Sequence, residues 1–319
     1  MELSKRKVMP ILSKYGIVIA FGLIIIILSF ASNEFFTVYN IINILRQSSI
    51  IGIVAIGMAM MIIMGGIDLS VGSLLALSGV VAGMVANGTG GGNAMLAVLA
   101  GIGTGVASGA VIGTLVAWGR VEPFIVTLGM MTISRGLAMI FSHGIPVTGL
   151  NKAFTIIGGG KIAGIPYPII IYLVILLIAT LLLKRTRFGR HIYAIGGNEQ
   201  AAIVAGINIK VTKLKMFILL GGFTGLAGVI LAGRVRSGSP SIANGYELDA
   251  IASCVIGGIS FKGGIGTAVG AFIGTLIIST INNGLDLLNV QAFYQQVVKG
   301  VIIILAVLID SQKSRFQSK

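Results

Sequence analysis

The sequence predicts an all-α integral membrane protein with about ten transmembrane helices, some short or broken, and one small helix in a polar loop. Three observations carry that prediction. The 319 residues are 55% hydrophobic and only 10% charged, with mean hydropathy +1.02, too apolar for a chain folding around one aqueous core. Apolar runs of about 17–25 residues recur along the chain. Basic residues gather at the ends of those runs, and Lys and Arg beside spans are retained on the cytoplasmic side. Residues 1–319 therefore read as a single transmembrane domain with no sizeable soluble domain, and both termini are expected in the cytoplasm. The net charge of +14 would suggest nucleic acid for a soluble protein. At span ends it is accounted for by anionic lipid and topology, so membrane lipid is an expected partner and nucleic acid is not. The single Cys254 excludes an intrachain disulfide and offers no metal cluster, and no cofactor or metal motif is visible.

The elements follow in order. Met1 to Ser32 mimics a signal peptide, but its apolar run exceeds the usual core of roughly 7 to 15 residues and reads as a retained first span, Tyr15 to Ala31. Asn33 to Ser49 alternates apolar and polar positions at near-helical spacing, which predicts an amphipathic helix in the outer interface. Spans are expected over Ile50–Met64, Leu74–Ala86, Ala94–Trp118, Val121–Phe141 and Tyr167–Leu183, with an outer loop from Ser142 to Pro166. Gly101, Gly105, Gly109 and Gly113 form a bare stripe that admits a close neighbour, and Gly266, Gly270 and Gly274 repeat the device. Gly158-Gly159-Gly160-Lys161 lacks the spacing and following hydroxyl of a nucleotide-binding loop. Later spans are expected over Phe217–Leu231, from near Tyr246, over Ile265–Ile281 with an outer turn at Asn282-Asn283-Gly284, and over Val297–Ile309. Gly65-Gly66-Ile67 and Gly257-Gly258-Ile259 hint at a duplicated half.

Between the sixth and seventh spans lies the one long polar interval, Leu183 to Met216, with Lys184, Arg185, Arg187, Arg190, Lys210, Lys213 and Lys215 against the single acid Glu199. That bias places the loop, 184–215, in the cytoplasm. Within it Glu199 to Ile207 reads as a short helix closed by Gly206.

Charges at membrane depth cost on the order of 3 kcal/mol each on insertion scales, so each needs a partner, water or a function. Asp68, with Ser70 and Ser73, is either a cap for the third span or part of a polar pathway at a broken helix. Arg135 either snorkels outward or pairs with Glu247 or Asp249. Glu247 and Asp249 complement the dipole of the eighth helix, and Tyr246 serves as an interfacial anchor or a sugar-stacking face. Asn282 and Asn283, with Asp286, Gln295, Gln296 and Lys299, surround the last outer turn, hydrated or receiving hydroxyls.

Gly66-Ile67-Asp68-Leu69-Ser70-Val71-Gly72-Ser73, Gly196-Gly197-Asn198-Glu199 with Gly206-Ile207-Asn208, Gly245-Tyr246-Glu247-Leu248-Asp249-Ala250-Ile251-Ala252, Asn282-Asn283-Gly284-Leu285 and Gln296-Val297-Val298-Lys299 occur in that order. Together they resemble the permease subunits of bacterial ribose-type sugar ABC importers, over about Phe35 to Asp310. The Glu, paired Ala and Gly spacing of the short helix resembles the coupling segment of ABC import permeases. The resemblance implies a homodimer of permease chains in the cytoplasmic membrane. It also implies an extracytoplasmic sugar-binding protein and a separate ATPase with two nucleotide-binding cassettes, so that the chain itself is a transport subunit and not an enzyme. Ribose, or a related pentose or hexose, is the expected cargo. Gly197, Asn198, Glu199, Ala201, Ala202, Gly206 and Ile207 are the expected ATPase-coupling residues. Asp68, Ser70, Ser73, Arg135, Tyr246, Glu247, Asp249, Asn282 and Asn283 line the expected pathway, and Arg46, Arg234 and Arg236 the docking face for the binding protein. The alternative is a secondary transporter driven by protons through Asp68, Glu247 or Asp249. A membrane-embedded enzyme fits less well, because His143 and His191 fall on opposite sides by the charge bias and no nucleophile or metal constellation accompanies them.

Overall fold

The computed structural model describes residues 21–87, 92–291, 293–301, 304 and 308. The basic N-terminus, the start of the first span, the outer turn around Gly88 and the basic C-terminus lie outside the described residues. The chain is a helical bundle: α1 (Phe21–Ala31), α2 (Val38–Ile63), α3 (Val71–Ala86), α4 (Ala94–Ala117), α5 (Pro123–Phe141), α6 (Lys152–Gly159), α7 (Tyr167–Arg185), α8 (Arg187–Gly197), α9 (Glu199–Val204), α10 (Ile209–Val235), α11 (Tyr246–Ile256), α12 (Ala268–Leu287) and α13 (293–301). A two-stranded antiparallel hairpin, β1 (Lys161–Ile162) and β2 (Ile165–Pro166), follows α6. Among the described residues, α2, α4, α5, α7, α10 and α12 are long and apolar enough to cross a membrane.

α2 and α10 form the centre. Both are mostly buried, whereas α4, α5 and α7 leave apolar side chains such as Leu99, Ile133 and Leu177 exposed, as helices bounded by lipid do. The glycine stripe of α4 does what its spacing predicts. Gly105 and Gly109 press on the backbone at Gly221 and Phe217 of α10, and Gly101 and Gly113 on Val229 and Leu214, so the two helices meet with almost no side chain between them. Gly270 and Gly274 of α12 likewise meet Gly257 and Ser253. Gly266 does not join that stripe. It precedes the N-cap Thr267 with φ 147°, a glycine-favoring conformation in the turn before the helix.

Several expectations are corrected. Asn33 to Ser49 is not a separate interfacial helix: Thr37 caps α2, which then runs unbroken for 26 residues because no breaker interrupts it. The polar interval from Leu183 is not a loop around one small helix. It holds α8 and α9, and Lys210, Lys213 and Lys215 ride on the opening turns of α10. The loop from Ser142 contains α6 and the hairpin. Asn282 and Asn283 lie inside α12, buried, and not in a turn beyond it.

The largest correction concerns α11, expected as a span. It has 11 residues, about 16 Å of helix against a hydrocarbon core of about 30 Å. After α10 ends at Arg236, the chain turns back beside α3: Gly238 bridges Val147 and packs on Gly79 and Val80, and Ala243 reaches Gly72 in the first turn of α3. There α11 begins, with Glu247 against Gly72. α3 runs from this meeting point to the end marked by the Asn87–Leu150 bridge, while α11 runs the opposite way, towards the end that holds α8 and α9. Two short helices thus start nose to nose inside the bundle and share its thickness.

At the α8–α9 end, α2, α9 and α11 terminate identically. Gly65, Gly206 and Gly258 take φ of 91°, 79° and 80°, and the next N–H donates to the carbonyl five residues back: Gly66 to Met61, Ile207 to Ala202 and Ile259 to Cys254, each at 3.0 Å. Gly65 therefore corresponds to Gly258, one residue out of the register suggested by pairing the two Gly-Gly-Ile strings.

Candidate functional site

Two regions collect the polar residues. The first surrounds α9. Asn198 caps it by accepting from the Ala201 amide at 2.9 Å, and Glu199 in its first turn accepts both its bonds from Lys213 of α10, each at 2.9 Å. Ala202 is buried and Ile207 packs on the main core, while Gly197, Ala201 and Gly206 stand exposed together with Val204, 89% exposed. One side of the helix is anchored and the other is free. A cleft of about 620 Å³ opens beside it, lined by Arg120, Glu199, Lys210 and Lys213 over Met61 and Phe217.

Sequence reading missed how this region is joined to the bundle. Gly196 at the end of α8 abuts the Ile63 carbonyl at the end of α2, and Gly263 and Gly264, with φ of 80° and 72°, pack on Gly196 and Gly197. The Gly264 amide donates to the Ile63 carbonyl at 2.8 Å, and the Tyr193 hydroxyl donates to the Gly266 carbonyl at 2.7 Å. Burial pushes the Tyr193 phenol above its ordinary range, so it remains a donor. Only the glycine pairs carried a signal: backbone meeting backbone needs residues without side chains.

The second region lies where α3 and α11 begin. Asp68, 2% exposed, does not reach the free amides of α3. Its carboxylate accepts from the Ser70 amide at 2.7 Å and the Ser70 hydroxyl at 2.6 Å, fixing the turn that starts the helix. Arg135 on α5 makes no ion pair with Asp249. Its Nη1 donates to the carbonyls of Pro240 and Ile242, at 3.0 Å for Ile242, with Glu247 close enough to act through its field. Backbone acceptors leave no trace in residue types, which is why the partner was invisible beforehand. Asp249 pairs instead with Lys299 of α13 at 3.0 Å. Asn283 exchanges two amide hydrogen bonds with Asn40 of α2, at 2.8 and 2.9 Å, closing α12 onto α2. Tyr246 is partly buried against the main core.

Arg135, Glu247 and Ser73 do come together, along a cleft of about 510 Å³ that also takes in Thr132 and Asn244. Asp68, Asp249, Asn282 and Asn283 are not part of its lining. Arg46 and Arg234 are half-buried and near enough to repel each other, whereas Arg236 is exposed at the left-handed cap of α10.

Residues 40–307 match the family model described as branched-chain amino acid transport system / permease component. The chain belongs to this permease family. As a permease it is a transport component, and the six long apolar helices make it a multi-pass membrane protein. Its relatives include the ribose import permease of Bacillus subtilis strain 168, 45% identical over 95% of this chain and 94% of that one. The ribose import permease of Escherichia coli K12 is 47% identical over 92% of each chain. The L-arabinose ABC transporter permease of Azospirillum brasilense is 39% identical over 96% of this chain and 90% of that one. No solved structure matches this permease.

Proposed function

We propose that this permease is the membrane subunit of an ATP-driven importer that carries a monosaccharide, ribose in the first instance, across the bacterial cytoplasmic membrane. The observation that carries the reading is its 45–47% identity to ribose import permeases over nearly the full length of both chains. Two copies of the permease would assemble with a separate ATPase and an extracytoplasmic sugar-binding protein. In this reading the count of about ten membrane passages takes the six long helices, α1 and α13, and two passages that α3 and α11 would each complete with the irregular stretch leading into them. It puts both termini, α8 and α9 in the cytoplasm, in line with the Lys and Arg bias.

In this reading α9, with Gly197, Asn198, Glu199, Ala201, Ala202, Gly206 and Ile207, receives the ATPase. Its anchored back and free front support that role. The pathway passes the meeting of α3 and α11, where Ser73, Arg135 and Glu247 face one cleft. Asp68 and Ser70 hold the α3 turn, Asp249 and Asn283 tie the neighbouring helices through Lys299 and Asn40, and Tyr246 and the buried Asn282 stay among the proposed pathway residues. Arg236 is the exposed candidate for binding-protein docking, with Arg46 and Arg234 behind it. ATP drives import because the ATPase binds the two orientations of the permease unequally; equal binding would shift nothing.

The test is uptake of labelled D-ribose into vesicles holding the permease with its ATPase and binding protein. The expected result is accumulation that requires ATP and survives a proton uncoupler. Accumulation by the permease alone, abolished by the uncoupler, would assign it to proton-coupled transporters instead. Gly206→Trp, which puts a bulky side chain at φ 79°, is expected to uncouple ATP hydrolysis from uptake.

A further inference from the structure

The cleft between α3, α5 and the returning chain carries two opposite charges where the fold places membrane depth. Neither can face lipid chains. Arg135 commits Nη1 to the Pro240 and Ile242 carbonyls, and Glu247 sits against the first turn of α3, so both are fixed in the wall. Their opposite charges sum to zero, so the wall carries no net charge that favours an ion of either sign. The exposed polar residues of the lining are neutral: Thr132 and Asn244 are exposed, and Met139 supplies an apolar patch. Ser73 closes the inner side. Donors and acceptors are thus mixed around a neutral opening of about 510 Å³, within the range of small-molecule sites. A group that both donates and accepts, a hydroxyl, satisfies such a wall where a pure donor or acceptor does not.

We propose that this cleft is a transit site for a neutral polyhydroxy ligand, with Thr132 and Asn244 deciding which hydroxyl pattern passes. The proposal rests on the importer reading above and refines it. Asp68, Asp249 and Asn283 are engaged by Ser70, Lys299 and Asn40 and hold the frame, whereas Asn244 and Thr132 line the open cleft, Thr132 donating to Leu128 of its own helix and keeping its oxygen lone pairs as acceptors.

Thr132→Cys and Asn244→Cys, made separately in the complete transporter, test whether the cleft is wet. Cys254 is buried and gives a silent background. A charged, membrane-impermeant thiosulfonate is expected to modify each new thiol during turnover, several-fold more slowly with D-ribose present. Thr132→Val and Asn244→Ala then test selection. The ratio of D-ribose to 2-deoxy-D-ribose uptake is expected to move by about fivefold, the scale of one hydrogen bond, in at least one of them. A merely structural role would lower both rates together and leave the ratio alone. Silence of both thiols in every nucleotide state, as lipid or a second copy covering the cleft would produce, overturns the proposal, and so does a ratio that neither substitution moves. A wild-type complex that carries no monosaccharide would remove the importer reading itself, a different failure from unaltered variants of a working transporter.

Discussion

Gly72 is the position on which the meeting of α3 and α11 depends. A β-carbon there would run into the Glu247 carboxylate and the Ala243 carbonyl, both part of the returning chain. The bare backbone lets that carboxylate rest at the start of α3, where the helix dipole favours negative charge. Gly72→Ala is therefore expected to cost on the order of 1–3 kcal/mol, as overpacking does, and to lower the melting temperature of the detergent-solubilised protein. The Asp249–Lys299 pair gives a second expectation. Asp249 is 3% exposed, so Lys299→Met strands a buried carboxylate and should cost about 3 kcal/mol. Pairing it with Asp249→Asn should recover most of that loss, because nothing charged is then left without a partner. A double variant that melts as low as the sum of the singles would show the two residues to be uncoupled.

Among the elements, the close approach of some neighbour to α4 was legible before any coordinates, because glycines four apart fall on one helix face, whereas nothing in the stripe named α10 as that neighbour. Gly105→Leu is expected to force the helices apart and abolish recovery of folded protein. Gly103→Ala, on the open side where a β-carbon meets nothing within 4 Å, is expected to be harmless or slightly stabilising. Expression and melting temperature of the pair check both. The long apolar spans were legible for the same reason, that hydropathy fixes their length. The half-helix α11 was not. Ile251 to Ile256 is as apolar as a crossing segment, and hydropathy does not record that the chain has already travelled part of the way in as the irregular stretch from Ser237 to Gly245. α2 misled in the opposite sense: Arg46 and Gln47 looked like an interfacial face, yet they sit inside α2, which runs on unbroken to Ile63. Within the candidate site, Glu199 to Gly206 was readable as a helix from its closing glycine, and its Asn198 cap emerged only in the structure. Arg135 was half-readable: its need for a partner was plain, but its carbonyl partners were not.

For the molecule as a whole, the proposed importer role asks how a motion imposed on α9 would reach the meeting point of α3 and α11. α9 is tied to α10 by Glu199 and Lys213, and α8 behind it touches the end of α2 and the α11–α12 turn through Gly196, Gly263 and Gly264. Contacts between bare backbones have no side chains to yield, so a displacement is passed on and not absorbed. The end of α2 leads directly into the Asp68 turn that starts α3, and the α11–α12 turn leads back along α11 to Glu247. One joint therefore addresses both short helices at once. The Tyr193 hydroxyl adds a side-chain hydrogen bond to it, donating to the Gly266 carbonyl. Removing that part-buried hydrogen bond should weaken the joint by about 1 kcal/mol, roughly a fivefold change in an equilibrium it biases. Tyr193→Phe is accordingly expected to lower the sugar carried per ATP hydrolysed, with protein yield and melting temperature little altered, because the bond lies at the edge of the bundle and not in its core. A variant that kept the wild-type ratio of sugar to ATP would show that the stroke travels through the Glu199–Lys213 tie and α10 instead.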